Sequence, residues 1–183
     1  TDSASFMAHG FDPDLAEWSP FHGAVYAVLL SVTRLVAMGA DWRRAYLTLQ
    51  EYFEKLIDRT SWGKPAAALL GAFHMQAALG LGAIGGKDSM SGTFNDLHVP
   101  PTLVSFAVAP GKASEAVSQE LKQEGNTLML FGMPKDETGM PNLDVFKLHA
   151  DFLYQEVKKG NIAAMKAVGH GGVAVTAAEM AFG

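Results

Sequence analysis

Residues 65–86, PAAALLGAFHMQAALGLGAIGG, contain no Asp, Glu, Lys or Arg. A run of this kind has to leave water, either by crossing a bilayer or by packing inside a protein. A bilayer-spanning helix needs about 20 predominantly apolar residues in sequence. This run is broken by His74, Gln76 and several glycines. It also opens on Pro65, a residue favoured in the first turn of a helix. The expectation is a buried helix from Pro65 to Leu79 or Gly80, then a short buried strand over 81–84. The 183-residue chain is 49% hydrophobic and 18% charged. It can therefore build the core that such elements require.

The rest of the chain mixes both kinds of element. Residues 1–22 read as irregular, with Pro13 and Pro20 and a turn-forming DPD. Residues 23–38, GAVYAVLLSVTRLVAM, are apolar nearly all round and predict a buried helix closed by Gly39. Residues 46–49 predict a short strand. Residues 50–56 read as a helical turn with Glu51 and Glu54 on one face, a solvated face in preference to a metal pair. TLVSFAVA, 102–109, is β-prone and almost continuously apolar, which predicts a central strand. Residues 110–126 are charged and end on the turn pair Gly125-Asn126. They read as a linker, which places one domain over 1–110 and another over 127–183. Residues 127–131 and 163–168 predict strands. Asn142 caps an amphipathic helix with Leu143, Phe146, Leu153 and Val157 on one stripe. Residues 169–172, GHGG, form a turn, and a helix begins at Val173. The class is α+β, or mixed α/β.

Composition closes several functional routes. The net charge is −5 and Lys and Arg are not clustered, so no nucleic-acid partner is expected. No membrane partner is expected either. With no cysteine there is no disulfide framework, thiolate zinc site or cysteine nucleophile. Residues 1–10 lack a basic stretch followed by an apolar run, so no secretory signal is expected there and a cytoplasmic location fits. The missing initiator Met suggests a processed or excised chain.

The chemistry concentrates in residues 82–94, GAIGGKDSMSGTF. Gly80, Gly82 and Gly85 match GxGxxG, but that fingerprint needs a strand before it and a helix after it. Here a helix comes first. Gly86-Lys87 resembles the end of a Walker A loop, but Leu81 stands where its first glycine belongs and Asp88 follows the lysine. What remains is a set of groups suited to phosphate. Gly85 and Gly86 allow backbone N–H groups to approach an anion. Lys87 supplies a compact positive charge, and Ser89 and Ser91 can donate hydrogen bonds. Asp88 can hold a divalent cation. The competing reading is a polar turn whose Asp and Ser cap the chain's own amides. The histidines, at 9, 22, 74, 98, 149 and 170, show no metal-ligand spacing. His170, with Gly171 and Gly172 in a glycine turn, is the one best placed for a ligand.

The run WGKPAAALLGA, LGAIGGKDSMSGTF and VPPTLVSFAVA, with SPFHGA, YLTLQEYFEKL and EGNTLMLFG, strongly resembles phosphoribosylformylglycinamidine synthases. The resemblance covers essentially the whole chain. It implies an ATP- and magnesium-dependent ligase of purine biosynthesis. The formamide oxygen of formylglycinamide ribonucleotide is activated, and glutamine-derived ammonia displaces phosphate. It implies an AIR-synthase-like fold of duplicated halves. This chain would span the end of one N-terminal sheet-and-helix domain and the start of a C-terminal α/β domain in the later half. The implied partners are the other AIR-synthase-like half and a glutaminase domain or subunit. Two departures matter. An acidic glycine turn of the family reads here Val168-Gly169-His170-Gly171-Gly172, without an acid. A helix that elsewhere offers Glu and Asn carries Leu30 and Arg34. Both remove metal ligands and leave open a non-catalytic half with a degenerate nucleotide site.

Overall fold

The structure is a computed structural model that describes residues 1–182. In chain order it contains β1 (Ser3–Gly10), α1 (Pro13–Trp18), α2 (Pro20–Ala37), β2 (Tyr46–Tyr52), α3 (Arg59–Leu79) and β3 (Ala83–Lys87). These are followed by β4 (Thr93–Phe94), β5 (Leu97–His98), β6 (Thr102–Lys112), α4 (Leu143–Lys158) and α5 (Gly172–Ala181). Short 3-10 turns cover Trp42–Arg44 and Ala113–Glu115. The four-stranded sheet has the order β1-β6-β2-β3, and β4 and β5 form a separate hairpin. This is the α+β arrangement expected.

The chain divides into two compact units. One holds residues 7–32 and 43–108, the other 1–6, 33–42 and 109–183. In the first unit β2 pairs antiparallel with β6, Leu47 facing Ala107 and Glu51 facing Leu103. It pairs parallel with β3, Leu49 facing Gly86 and Gln50 facing Lys87. Burial alternates along β6: Leu103, Ser105 and Ala107 turn inward while Phe106 is exposed. The strand is central in position, as its sequence predicts, but only one of its faces is covered. Helices α2 and α3 pack so closely at Gly71 that a Cβ there would lie 2.2 Å from the Phe21 carbonyl oxygen. Val25, Val28, Leu47, Phe53 and Met75 fill this core, each at most 1% exposed. Ser31 and Ser105, both fully buried, satisfy each other at 3.0 Å.

In the second unit Asn142 Oδ1 accepts from the Val145 N–H at 3.1 Å and starts α4, as expected. Phe146 and Ala150 are its buried positions; Leu143, Leu153 and Val157 are half-buried. Trp42 packs edge-on to Phe146 and donates its indole N–H to Asp151 Oδ1 at 2.8 Å.

Several expectations change. Residues 1–22 are not irregular but carry β1 and α1, and Asp12 caps α1 by accepting from the Leu15 N–H. Helix α3 begins six residues before Pro65, because Asp58 and Ser61 form a reciprocal capping box that nucleates it upstream. It ends as expected at Gly80, whose φ of 68° is left-handed. The following strand is shifted to Ala83–Lys87 and is an exposed edge, not a buried strand. Gly85, Gly86 and Lys87 therefore lie in β3 itself. Residues 50–56 are not helical, since β2 continues to Tyr52. Residues 127–131 and 163–168 form no strand, and Leu128, Met129 and Leu130 are 63–67% exposed. A β-prone segment becomes a strand only when a neighbour takes up its backbone hydrogen bonds. Among the described residues α2 alone is long and apolar enough to cross a membrane, and Val25, Val28, Val32 and Leu35 on it are fully buried.

Candidate functional site

The site is built at the end of β2 and β3. Gly86 is required where β3 meets β2: a Cβ would lie 2.5 Å from the Leu49 carbonyl oxygen. Gly85 is different, because a Cβ there meets nothing within 4 Å. The fold does not demand this glycine, and its absent side chain leaves open space at the strand. Lys87 closes β3, with its carbonyl accepting from Gln50 Nε2 at 3.3 Å. Its ammonium curls back to donate to Ser89 Oγ at 2.9 Å and to the Asp88 carbonyl at 3.2 Å. Lys87, Asp88 and Ser91 are exposed and Ser89 is half-buried. The loop thus gathers an ammonium and a hydroxyl on solvent-facing backbone, a donor set suited to an anion.

Beside it lies an acid expected on a solvated face but found buried. Glu51 sits on β2 with its side chain on the inward face, 4% exposed. Its Oε1 is buried without a hydrogen-bond partner. Burial first, and the Asp88 carboxylate second, push its carboxyl up to about 7. A buried carboxylate facing a second carboxylate is costly unless a proton or a cation sits between them. The signal was the period-two pattern: Leu47, Leu49 and Glu51 share one face of a strand that continues through Tyr52.

His170, Gly171 and Gly172 belong to the other compact unit from residues 85–91. Gly171 and Gly172 have φ of 83° and 70° and lead into α5. An Arg34 guanidinium nitrogen lies 3.9 Å from where a Cβ on Gly169 would be. Among the described residues no group of three or more His, Asp or Glu is gathered for a metal.

No family model matches the chain. Among curated proteins, the phosphoribosylformylglycinamidine synthase subunit PurL of Thermococcus kodakarensis is 25% identical over 202 residues. That alignment takes in 97% of this chain and 26% of the relative. The Thermococcus gammatolerans PurL matches equally, at 25% identity.

This chain is similar to part of PurL.

It spans about a quarter of the length of these curated relatives. Thermotoga maritima PurL complexed with AMPPCP superposes with a TM-score of 0.73 at 15% identity, covering 98% of this chain and 29% of that one. The same PurL complexed with FGAR gives 0.73 at 13% identity, over 97% and 31%. The fold of the chain is the fold of that stretch of PurL, the AIR-synthase-like class anticipated from the sequence.

Proposed function

We propose that the chain is a segment of a phosphoribosylformylglycinamidine synthase, in its later AIR-synthase-like half, and that residues 85–91 contact the phosphate of a nucleotide or ribonucleotide. The parent reaction would be ATP-dependent amidine formation on formylglycinamide ribonucleotide, with ammonia from a glutaminase domain or subunit. One observation carries the local reading. Lys87, at the end of an open glycine strand, donates to Ser89 in the loop that follows, and Asp88 between them faces the buried Glu51 with its unpartnered oxygen. PurL of T. maritima has been captured with ATP and ADP, which supports a nucleotide as the ligand. In this reading Lys87, Ser89 and Ser91 hold phosphate oxygens over Gly85 and Gly86. Hard oxygen donors suit Mg2+, which keeps several waters and takes one or two protein carboxylates. Glu51 and Asp88 would hold it, and the bound ion would neutralise phosphate charge. His170, Gly171 and Gly172 would form a second phosphate-facing turn.

We further propose the boundaries 1–110, 111–126 and 127–183 for an N-terminal domain end, a linker and a C-terminal domain start. The charged character of 111–126 and the scarcity of regular structure between Glu115 and Leu143 support them. The compact units also draw residues 1–6 and 33–42 together with the later part. The uncovered face of the first unit's sheet would take the other AIR-synthase-like half. It exposes Tyr46, and Met7 and Phe106 at a shallow pocket of about 440 Å³. The acidic balance of the chain supports a protein without a nucleic-acid partner, and we propose a cytoplasmic location with no membrane partner.

The test is calorimetric titration of AMPPCP, with and without Mg2+, against the chain and against Lys87→Ala. Loss of one charged hydrogen bond should weaken binding by about 1.5–3 kcal/mol. Stability should hardly change, because the side chain is exposed. Unchanged binding with reduced stability would make residues 85–91 a structural turn. A second reading, a non-catalytic half with a degenerate nucleotide site, is favoured by Arg34 beside the Gly169 turn. It predicts AMPPCP binding that is indifferent to Mg2+.

A further inference from the structure

The loop after β3 is held by more than the sheet. Phe53, immediately past β2, donates its N–H to the Ser89 carbonyl at 2.9 Å and accepts from the Gly92 N–H at 2.9 Å. The Val99 N–H donates to the Gly92 carbonyl at 2.7 Å. A Cβ on Gly92 would lie 2.3 Å from Val99 Cγ1, so only glycine passes this crossing. Directly beyond it, β4 and β5 pair Thr93 with His98 and Phe94 with Leu97. Thr93 Oγ1 accepts from the Lys55 N–H at 2.9 Å and lies 3.1 Å from His98 Nδ1.

Glu54 joins these pieces. One carboxylate oxygen is paired with Lys64 of α3, and the other lies 3.6 Å from His98 Nδ1 on β5. The Glu54 side chain is 16% exposed, against 36% for Lys64 and 54% for His98. The acid is therefore the sheltered hub of the cluster. It follows Phe53 in sequence, the residue whose backbone grips both ends of the loop. Partly exposed ion pairs contribute little to global stability. What such a cluster can do is order a glycine-rich loop in advance, so that a ligand does not bear that entropy cost on binding.

We propose that Glu54 is a positioning residue for the phosphate loop. Through Lys64 and His98 it clamps the β4–β5 hairpin against the end of β2, and so fixes Ser89 and Ser91 in place. The proposal rests on the reading of residues 85–91 as a phosphate site. A carboxylate suits the role because one oxygen accepts from the Lys64 ammonium while the other, 3.6 Å from His98 Nδ1, attracts a protonated imidazole, so the acid faces a helix on one side and a hairpin on the other.

Hydrogen exchange and AMPPCP titration on Glu54→Gln, His98→Asn and the double variant test it. In Glu54→Gln the Gly92 and Val99 amides should exchange about tenfold faster, while Val28 and Val32 in α2 keep their protection. AMPPCP affinity should fall about three- to tenfold with an unchanged urea midpoint. The double variant should lose no more than Glu54→Gln alone, since both changes break one cluster. Unchanged exchange at Gly92 and Val99 overturns the clamp, as does an equal loss of protection in α2. If wild type binds no AMPPCP, the phosphate reading falls, and with it the positioning role. The exchange pattern then shows separately whether the clamp on the loop exists.

Discussion

Replacing Glu51 by Gln should remove a pH-dependent destabilisation of the folded chain. The carboxyl is raised from 4.5 to about 7, with burial the larger cause and Asp88 the smaller. Between these values the folded chain holds a proton that the unfolded chain has released. Stability from this group is therefore greatest at low pH and declines as pH rises from 4.5 through 7. A shift of that size corresponds to about 3 kcal/mol at about 1.4 kcal/mol per pH unit. Glu51→Gln keeps the shape and cannot ionise. Urea unfolding of both proteins at pH 5 and pH 8, in EDTA, isolates the effect, because the remaining carboxylates cancel in the difference. At pH 5 the variant should be more stable by only about 1 kcal/mol. At pH 8 the variant should be more stable by about 3 kcal/mol. Parallel pH profiles, or a variant less stable at pH 8, would refute the argument. The second result would mean that a partner holds the ionised carboxylate. Adding Mg2+ at pH 8 should stabilise wild type and leave Glu51→Gln unaffected if the proposed cation site exists.

Three further outcomes follow from the packing. Gly71→Ala should destabilise by about 1–3 kcal/mol in chemical denaturation, because the new Cβ would lie 2.2 Å from the Phe21 carbonyl oxygen between two rigid helices. Trp42→Phe should cost about 1.5–3 kcal/mol for the lost indole hydrogen bond to the Asp151 carboxylate, read in the same assay. Met7, Tyr46 and Phe106 are 69%, 53% and 45% exposed on one sheet face. Sedimentation should show self-association that weakens in Phe106→Lys, and a concentration-independent monomer would contradict this.

Local chemistry was legible from the sequence wherever a residue acts on its near neighbours. Gly80 stops α3, Asn142 starts α4, and the apolar run 23–38 marks a buried helix, observed as Pro20–Ala37, each because the backbone or side-chain pattern decides within one or two turns. The likeness of the chain to PurL was also legible, and with it the α+β class. The start of α3 misled, since Pro65 is a common helix opener while the capping box at Asp58 and Ser61 lies upstream. Only tertiary structure decided the rest. Residues 127–131 and 83–87 have similar claims to be strands, yet only the second pairs, with β2. Glu51 read as a solvated acid until β2 extended through it and turned its side chain inward. The cluster of Glu54, Lys64, Thr93 and His98 joins residues separated by up to 44 positions, which no local pattern could connect. Period and capping are properties of neighbouring residues and are written in the sequence. Burial of a charge and pairing of a strand depend on which distant segment arrives, and only the folded chain determines that.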